Sequence, residues 1–212
     1  MSIRRLPIYL LLDCSSSMIG VPIEQVRQGL SALLDDLMTE PMALETVYLS
    51  VITFHSTAQQ LMPLTELMQF KEPQIQANGA TALGAALCLL KDCLDKEICQ
   101  GSEHQKCDWK PLVFLMTDGM PTDYWETAAD EIKKRKIANL VAFAAGSGAD
   151  IDNLKRITDI VLKSDELSPG ALKAFFQWMS QSILRTNKSV QAIVPDEPID
   201  LPPPPPQIQI VP

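Results

Sequence analysis

The stretch LLLDCSSSM at residues 10–18 decides the fold of this chain. It continues an unbroken apolar and aromatic run from Ile8 to Leu12, which is typical of a strand buried on both faces of a parallel sheet. The run stops at the carboxylate of Asp13 and three hydroxyls. We therefore expect this segment to leave the sheet at its carboxyl edge, where open α/β sheets bind their ligands.

The spacing Asp13-x-Ser15-x-Ser17 directs alternate side chains toward one point. Carboxylate and alcohol oxygens are hard donors, so Mg²⁺ or another hard divalent cation would suit that point. The alternative is that the same residues are turn and capping residues before the next helix. This motif alone does not separate the two interpretations.

Two later segments offer oxygen ligands at corresponding positions. Residues 78–83, NGATAL, open a predicted helix at Thr81, and residues 112–119, LVFLMTDG, form a hydrophobic strand that ends in a carboxylate, Asp118. The helix at Thr81 is expected to leave its first amide groups free, so that they can help to hold an anionic ligand. Three separated segments should thus meet at one edge of the sheet.

This pattern of Asp-x-Ser-x-Ser, Thr and Thr-Asp-Gly resembles the metal-ion-dependent adhesion site of von Willebrand factor type A (vWA) domains, over roughly residues 5–185. The resemblance implies that Ser15 and Ser17 bind the metal directly, and Thr81 directly or through water. It implies that Asp13 and Asp118 hold coordinated waters. It further implies a non-enzymatic module in which Mg²⁺, or else Mn²⁺ or Ca²⁺, binds an Asp or Glu of a protein partner.

The segment TDGMPTD at residues 117–123 is most similar to compact bacterial TerY-type proteins of tellurite-resistance and stress operons. That resemblance implies a protein kinase and a phosphatase as partners in a bacterial response to chemical stress. The alternative is a metal-dependent phosphohydrolase that uses Asp13 as its nucleophile. Enzymes of the haloacid-dehalogenase kind need a second acid two residues later, where this chain has Ser15, and no general base with a plausible partner is evident.

Bulk properties exclude several classes of function. The chain has 212 residues and a net charge of −8, so its surface does not suit the phosphate backbone of a nucleic acid. The apolar run after Arg4 and Arg5 imitates a signal peptide, but it is short, ends in Asp13 and lacks a small-residue cleavage site. No stretch reaches membrane-spanning length. We therefore expect a cytoplasmic protein that binds neither membrane nor nucleic acid.

The cysteines are an odd number, five, without a C-x-x-C pair, which favours free thiols in a reducing compartment. A zinc cluster of Cys93, Cys99, His104 and Cys107 is conceivable, but these spacings match no common zinc finger or ribbon. We expect the cysteines to play no part in metal binding.

Hydrophobic periodicity predicts strands alternating with amphipathic helices. The pattern predicts a doubly wound α/β three-layer sandwich, mostly parallel with one antiparallel edge strand. Thr122-Asp123 is expected to cap a helix at residues 124–136, and Trp178 lies off the apolar stripe of the last helix, where it could cover the tail or a partner. Predicted elements are a helix at 23–37, strands at 46–54 and 59–64, a helix from 81, and strands at 110–118, 139–145 and 160–163.

The chain divides by composition into a vWA-like domain at residues 1–190 and a proline-rich acidic tail at residues 191–212. The prolines predict an extended polyproline II segment. Asp196, Glu197 and Asp200 are carboxylates that the metal site could accept, while residues 207–211, QIQIV, alternate like a strand that adds to a sheet edge. We expect the tail to dock onto its own domain or onto a neighbour, which would allow self-association. A disordered linker is the alternative.

Overall fold

One seven-stranded sheet with helices on both faces accounts for the described part of the chain, which comprises residues 4–100, 107–136, 138–192 and 201–211 of a computed structural model. The strands are β1 (Leu6–Asp13), β2 (Val47–Phe54), β3 (Ala58–Glu66), β4 (Leu112–Thr117), β5 (Asn139–Ala145), β6 (Ile160–Ser164) and β7 (Gln209–Val211). The helices are α1 (Val21–Met38), α2 (Pro41–Thr46), α3 (Leu83–Glu97), α4 (Glu126–Arg135), α5 (Ile151–Ile157) and α6 (Pro169–Ala192). The strand order is β3-β2-β1-β4-β5-β6-β7.

β1 lies near the middle of the sheet, paired in parallel with β2 and β4, and all its residues are buried. Its side chains alternate between two apolar cores, which explains why the sequence shows no polar face. Leu10 and Leu12 belong to the core that contains α1 and α6 residues, while Tyr9 and Leu11 belong to the core of α3 and α4. The predicted doubly wound sandwich is confirmed.

Both edges of the sheet are antiparallel. β3 pairs with β2, as the sequence predicts, and β7 pairs with β6 at the opposite edge. The sequence predicts one antiparallel edge strand, and β7, which the tail supplies, is a second one. The other four pairings are parallel.

The tail docks onto its own chain over residues 201–211, in agreement with the docking hypothesis. The sequence leaves open whether Trp178 covers the tail or a partner. In the structure it contacts the tail, because its indole Nε1 donates a hydrogen bond of 2.9 Å to the carbonyl oxygen of Pro202. Ile208 is only 3% exposed and belongs to the same apolar core as Trp178. The tail carboxylates Asp196, Glu197 and Asp200 lie outside the described residues.

Helices α1 and α6 cover one face of the sheet at close range. A Cβ atom placed on Gly29 would lie 2.3 Å from Cδ2 of Phe176, so only glycine allows this approach. The aromatic rings of Phe175 and Phe143 stack beneath, with their centroids 4.3 Å apart. Within the described residues, no helix combines the length and the apolar character needed to cross a membrane.

Candidate metal site

Backbone hydrogen bonds join the loops at the carboxyl edge of the sheet. The amide of Asn78 donates 2.8 Å to the carbonyl oxygen of Cys14, and the amide of Ser16 donates 3.0 Å to that of Gly79. The turn at Gly79 has φ of 73°, and a Cβ there would meet Oγ of Ser56 at 2.2 Å, so this position requires glycine. These bonds hold the loop that contains Thr81 against the loop that follows β1.

Asp13 is fully buried, and both of its carboxylate oxygens accept hydrogen bonds from fixed donors. The amide of Ser15 donates to Oδ1 at 2.8 Å, and Oγ1 of Thr117 donates to Oδ2 at 2.5 Å. The first bond is a local turn within the Asp-x-Ser motif, and the second comes from the end of the neighbouring strand β4. The carboxylate therefore has one defined orientation beneath the loop.

The two serines connect this loop to Asp118. The hydroxyl oxygens of Ser15 and Ser17 lie 3.0 Å apart, and Oγ of Ser17 donates 2.8 Å to Oδ1 of Asp118. Ser15 is buried and Ser17 is exposed, so the pair runs from the interior to the surface. Asp13, Ser15, Ser17 and Asp118 thus form one chain of adjacent oxygen-bearing groups.

Thr81 is buried and lies on the neighbouring loop. Its amide donates 3.1 Å to Oγ1 of Thr122, and the amide of Thr122 donates 2.9 Å to the carbonyl oxygen of Thr81. A Cβ atom on Gly119 would lie 3.5 Å from Oγ1 of Thr81, which places that hydroxyl against the loop that begins with Asp118. The structure therefore brings the three predicted ligand segments to one edge of the sheet.

Two carboxylates, Asp13 and Asp118, concentrate negative charge at this edge of the sheet. Burial raises the pKa of both Asp13 and Asp118, and the nearby charge of Asp118 raises the pKa of Asp13 further. In the described residues, no lysine or arginine forms an ion pair with either carboxylate. Two desolvated carboxylates beside three hydroxyls fit a hard divalent cation, since such a cation would compensate their charge.

The first amides of α3 are not free, so that expectation was wrong. The amides of Gly84 and Ala85 each donate 2.9 Å to the carboxylate of Asp123. Asp123 therefore caps α3 and not the helix that follows it in sequence, and α4 begins at Glu126 without a side-chain cap. The positive end of α3 is already compensated by this carboxylate.

Local sequence patterns did not identify the supporting roles of Thr117, Thr122 and Asp123. All three lie in TDGMPTD, and each bonds to a different neighbour: Thr117 to β1, Thr122 to the loop of Thr81, and Asp123 to α3. The motif that carries the family resemblance therefore supports the site as well as contributing Asp118. Its density of hydroxyl and carboxyl groups directly after a buried strand was the available signal.

The cysteines are all unpaired. Cys14 lies inside the candidate site's loop, but its side chain is buried in an apolar core, and burial raises the pKa of its thiol to about 12. His104 of the conceivable zinc cluster is outside the described residues. Among the residues that the structure describes, no three His, Cys, Asp or Glu side chains group in a way that could hold a metal. The candidate site differs from such clusters because most of its donors are hydroxyls.

Comparison with known proteins identifies the family. Residues 8–167 match the model of the von Willebrand factor type A domain, and the chain therefore belongs to this family. A search of the curated proteins finds no significant match.

Solved structures share the fold at low sequence identity. A von Willebrand factor type A protein from Catenulispora acidiphila has a TM-score of 0.63 and 18% identity, over 86% of this chain and 43% of that one. The ArnB paralog VWA2 from Sulfolobus acidocaldarius has a TM-score of 0.60 and 16% identity, over 86% and 46%. Proximal thread matrix protein 1 from the mussel byssus, with a zinc-occupied MIDAS motif, has a TM-score of 0.57 and 18% identity, over 84% and 46%. This chain spans less than half of each of these structures.

Proposed function

We propose that this chain is a protein-interaction module that depends on a divalent cation. The proposed ligand set is Asp13, Ser15, Ser17, Thr81 and Asp118, with Mg²⁺, Mn²⁺ or Ca²⁺ as the cation and an Asp or Glu of a partner protein as the recognised group. The observation that carries the proposal is the set of hydrogen bonds that connects Asp13 to Asp118: the amide of Ser15 donates to Asp13, the hydroxyls of Ser15 and Ser17 are bonded to each other, and Ser17 donates to Asp118. The zinc-occupied MIDAS of the mussel protein supports a divalent metal in this fold.

The hydroxyl and carboxylate residues have different roles in this proposal. Ser15, Ser17 and Thr81 offer neutral hydroxyl oxygens as ligands, which leaves a bound cation with much of its positive charge. Asp13 and Asp118 supply the negative charge from beside the ligands and hold coordinated waters. The cation, when bound, supplies a coordination position for the partner's carboxylate. Thr117 and the amide of Ser15 keep the carboxylate of Asp13 in one orientation.

Exposed apolar side chains follow two of the candidate site's segments in sequence and favour a protein partner. Ile19 and Val21 follow the Asp-x-Ser-x-Ser loop, while Met120 and Tyr124 follow Asp118, and Tyr124 is 99% exposed. Exposed apolar groups around a polar site are a common feature of protein-recognition surfaces. Side chains of this kind suit a partner whose carboxylate lies between apolar residues.

The geometry favours recognition over phosphohydrolysis by Asp13. A nucleophilic carboxylate needs an oxygen that can reach the substrate, but both oxygens of Asp13 accept protein hydrogen bonds and the side chain is fully buried. Ser15, two residues later, cannot replace the second acid of haloacid-dehalogenase-type enzymes. A phosphatase assay with Mg²⁺ and an aryl phosphate should therefore show no turnover above that of Asp13→Ala.

The proposed setting is a bacterial response to tellurite and related chemical stress in the cytoplasm, with a kinase and a phosphatase as partners. It is supported by the likeness of residues 117–123 to TerY-type proteins and by a net charge that disfavours nucleic acid.

A pull-down from native lysate tests the function. The tagged full-length chain should retain a partner in Mg²⁺, release it in chelator and retain it again when Mg²⁺ is restored. Asp118→Ala and Thr81→Ala should fail to retain it, whereas Thr127→Ala, an exposed threonine on α4, should behave as wild type. Partners that bind equally in chelator and to all variants would contradict the proposal.

A further inference from the structure

The edge strand β6 is covered by the chain's own C-terminal segment. Without it, β6 would present a row of unpaired backbone groups at the edge of the sheet. Residues 209–211 pair with it in antiparallel register, with Val161 opposite Val211 and Lys163 opposite Gln209. This is strand addition, the mode by which sheets bind extended peptides.

Contacts outside the ladder also fix the segment, and Leu201 and Val211 pack partly buried against the apolar cores. The indole of Trp178 on α6 donates to the carbonyl oxygen of Pro202, and Ile208 is buried in the apolar core that also contains Leu162 and Trp178. Ile210, only two residues later, is 56% exposed although it lies opposite Leu162 in the ladder. The segment therefore has one buried side-chain anchor, one carbonyl anchor and a short backbone ladder.

These contacts are of the kind that a separate peptide could make. None of them needs a covalent link to α6, and residues 193–200 separate the helix from the segment. Consecutive prolines at 202–206 restrict the backbone before binding, so ordering the segment costs little conformational entropy. The edge of β6 together with Trp178 thus has the features of a peptide-binding site that is filled in the structure.

We propose that this edge is a binding site for an extended proline-rich strand, and that its occupant from outside the molecule is residues 201–211 of a second copy of the chain. An identical segment can make every contact in the same register, so two copies that exchange their segments lose no packing contact. The attached segment has the advantage of an effective concentration in the millimolar range, so a free site requires that its anchor be released. The site is at the lateral edge of the sheet, three strands from β1, and does not depend on the proposed metal-dependent function.

A full-length variant with a broken anchor tests the site. Ile208→Asp should release the segment, and this protein should bind a synthetic peptide of residues 201–211. A peptide that itself carries Ile208→Asp should bind at least ~10-fold more weakly, because it lacks the buried side chain. Ile210→Asp is the matched control: its side chain is exposed, its own segment should stay bound, and it should not take up the peptide. No peptide binding to a folded Ile208→Asp protein would overturn the proposal.

A complementation experiment tests the second copy as occupant. Trp178→Phe removes the hydrogen bond to Pro202 but retains an aromatic ring, so it loosens a segment whose sequence is intact. Mixed with Ile208→Asp, it should form a one-to-one complex by light scattering, while each variant alone stays largely monomeric. Peptide binding without such a complex would assign the site to a segment of another protein and overturn the second-copy assignment.

A third measurement covers the case in which Ile208→Asp does not fold. A protease site placed within residues 195–198 of the otherwise wild-type chain allows the segment to be cut free after folding. The cut segment should co-elute with the rest of the protein at micromolar concentration and exchange with labelled peptide. Its separation from a protein that remains folded would contradict the proposal.

Discussion

The buried carboxylates at the two ends of the central strand β1 differ in whether a basic side chain pairs with them. At the amino end, Arg5 and Asp108 form a salt bridge through two hydrogen bonds, of 2.5 and 2.8 Å. At the carboxyl end, Asp13 and Asp118 are buried beside hydroxyl groups, and none of the described lysines or arginines pairs with them. At the amino end, Arg5 neutralises the charge of Asp108. At the carboxyl end, the proposed cation would neutralise the charge of Asp13 and Asp118.

The amino half of β1 also takes part in a partly buried polar network around Glu97. The hydroxyl of Tyr9 donates 2.8 Å to Oε2 of Glu97, and Nε2 of Gln60 donates 3.0 Å to Oε1 of the same residue. Burial and the Glu97 hydrogen bond raise the pKa of Tyr9. This network joins β1, β3 and α3.

The largest effect is expected when the salt bridge at the amino end is broken. Arg5→Met leaves the buried carboxylate of Asp108 without its cation, which should lower the free energy of unfolding by about 3 kcal/mol. Urea unfolding followed by circular dichroism measures it. Arg135→Met, which removes the exposed pair with Asp95, should leave the midpoint almost unchanged, and equal losses in both variants would contradict the comparison.

Metal addition should give the next largest effect, at the carboxyl end. At a Mg²⁺ concentration one hundred times the dissociation constant, the wild type should gain roughly 2.7 kcal/mol of stability by linkage. Asp13→Ala and Thr81→Ala should lose this gain and remain folded, because each lacks an oxygen of the proposed site. Differential scanning fluorimetry with Mg²⁺ and with chelator shows the result. A wild-type response in both variants would refute the site assignment.

Removal of the cap on α3 should have two smaller effects, one on stability and one on the response to Mg²⁺. Asp123→Ala removes the acceptor for two amides and should cost about 1 kcal/mol of stability. It should also weaken the response to Mg²⁺, since Asp123 belongs to the loop that contains Asp118. Asp150→Ala is the control for the loss of a cap, because the carboxylate of Asp150 accepts hydrogen bonds from two amides of α5 and lies outside the segment 117–123. If the two variants respond alike to Mg²⁺, the coupling of cap and site is wrong.

The smallest expected effect comes from a substitution that stabilises the protein, Asp13→Asn. In chelator, Asp13→Asn removes a buried charge that has no cation partner, and the free energy of unfolding should rise by up to about 1 kcal/mol. Burial raises the pKa of Asp13, which is the sign expected for a carboxylate that is costly to ionise there. If Asp13→Asn clearly lowers stability in chelator, the protein itself compensates the charge of Asp13 as well as it compensates that of Asp108, and the prediction is wrong.

Sequence patterns predicted the alternation of strands and helices, the sandwich and the meeting of the three ligand segments, because each depends on local periodicity and on the edge rule for parallel strands. The order of the strands in the sheet comes from the structure. The role of Asp123 could not be predicted in this way. Its partners Gly84 and Ala85 are 39 and 38 residues away, and the nearer helix start at Glu126 offered a local alternative.

Two other features of the structure could not be predicted from local sequence patterns. The sequence analysis predicts no helix between the helix at 23–37 and the strand at 46–54, but the short helix α2 lies there and begins at Pro41, a position where proline is well tolerated. The alternation of residues 207–211 predicted a strand, yet it could not identify β6 as the partner, because pairing across a proline-rich segment depends on which edge is left open.

The burial of Cys14 has a chemical consequence for the loop at the candidate site. Oxidants and alkylating agents attack the thiolate, and a thiol with a pKa of about 12 holds almost none at neutral pH. Electrophiles should therefore modify the exposed Cys88 and Cys107 first. The Asp-x-Ser-x-Ser loop would keep its geometry under oxidising conditions that already damage the surface of the protein.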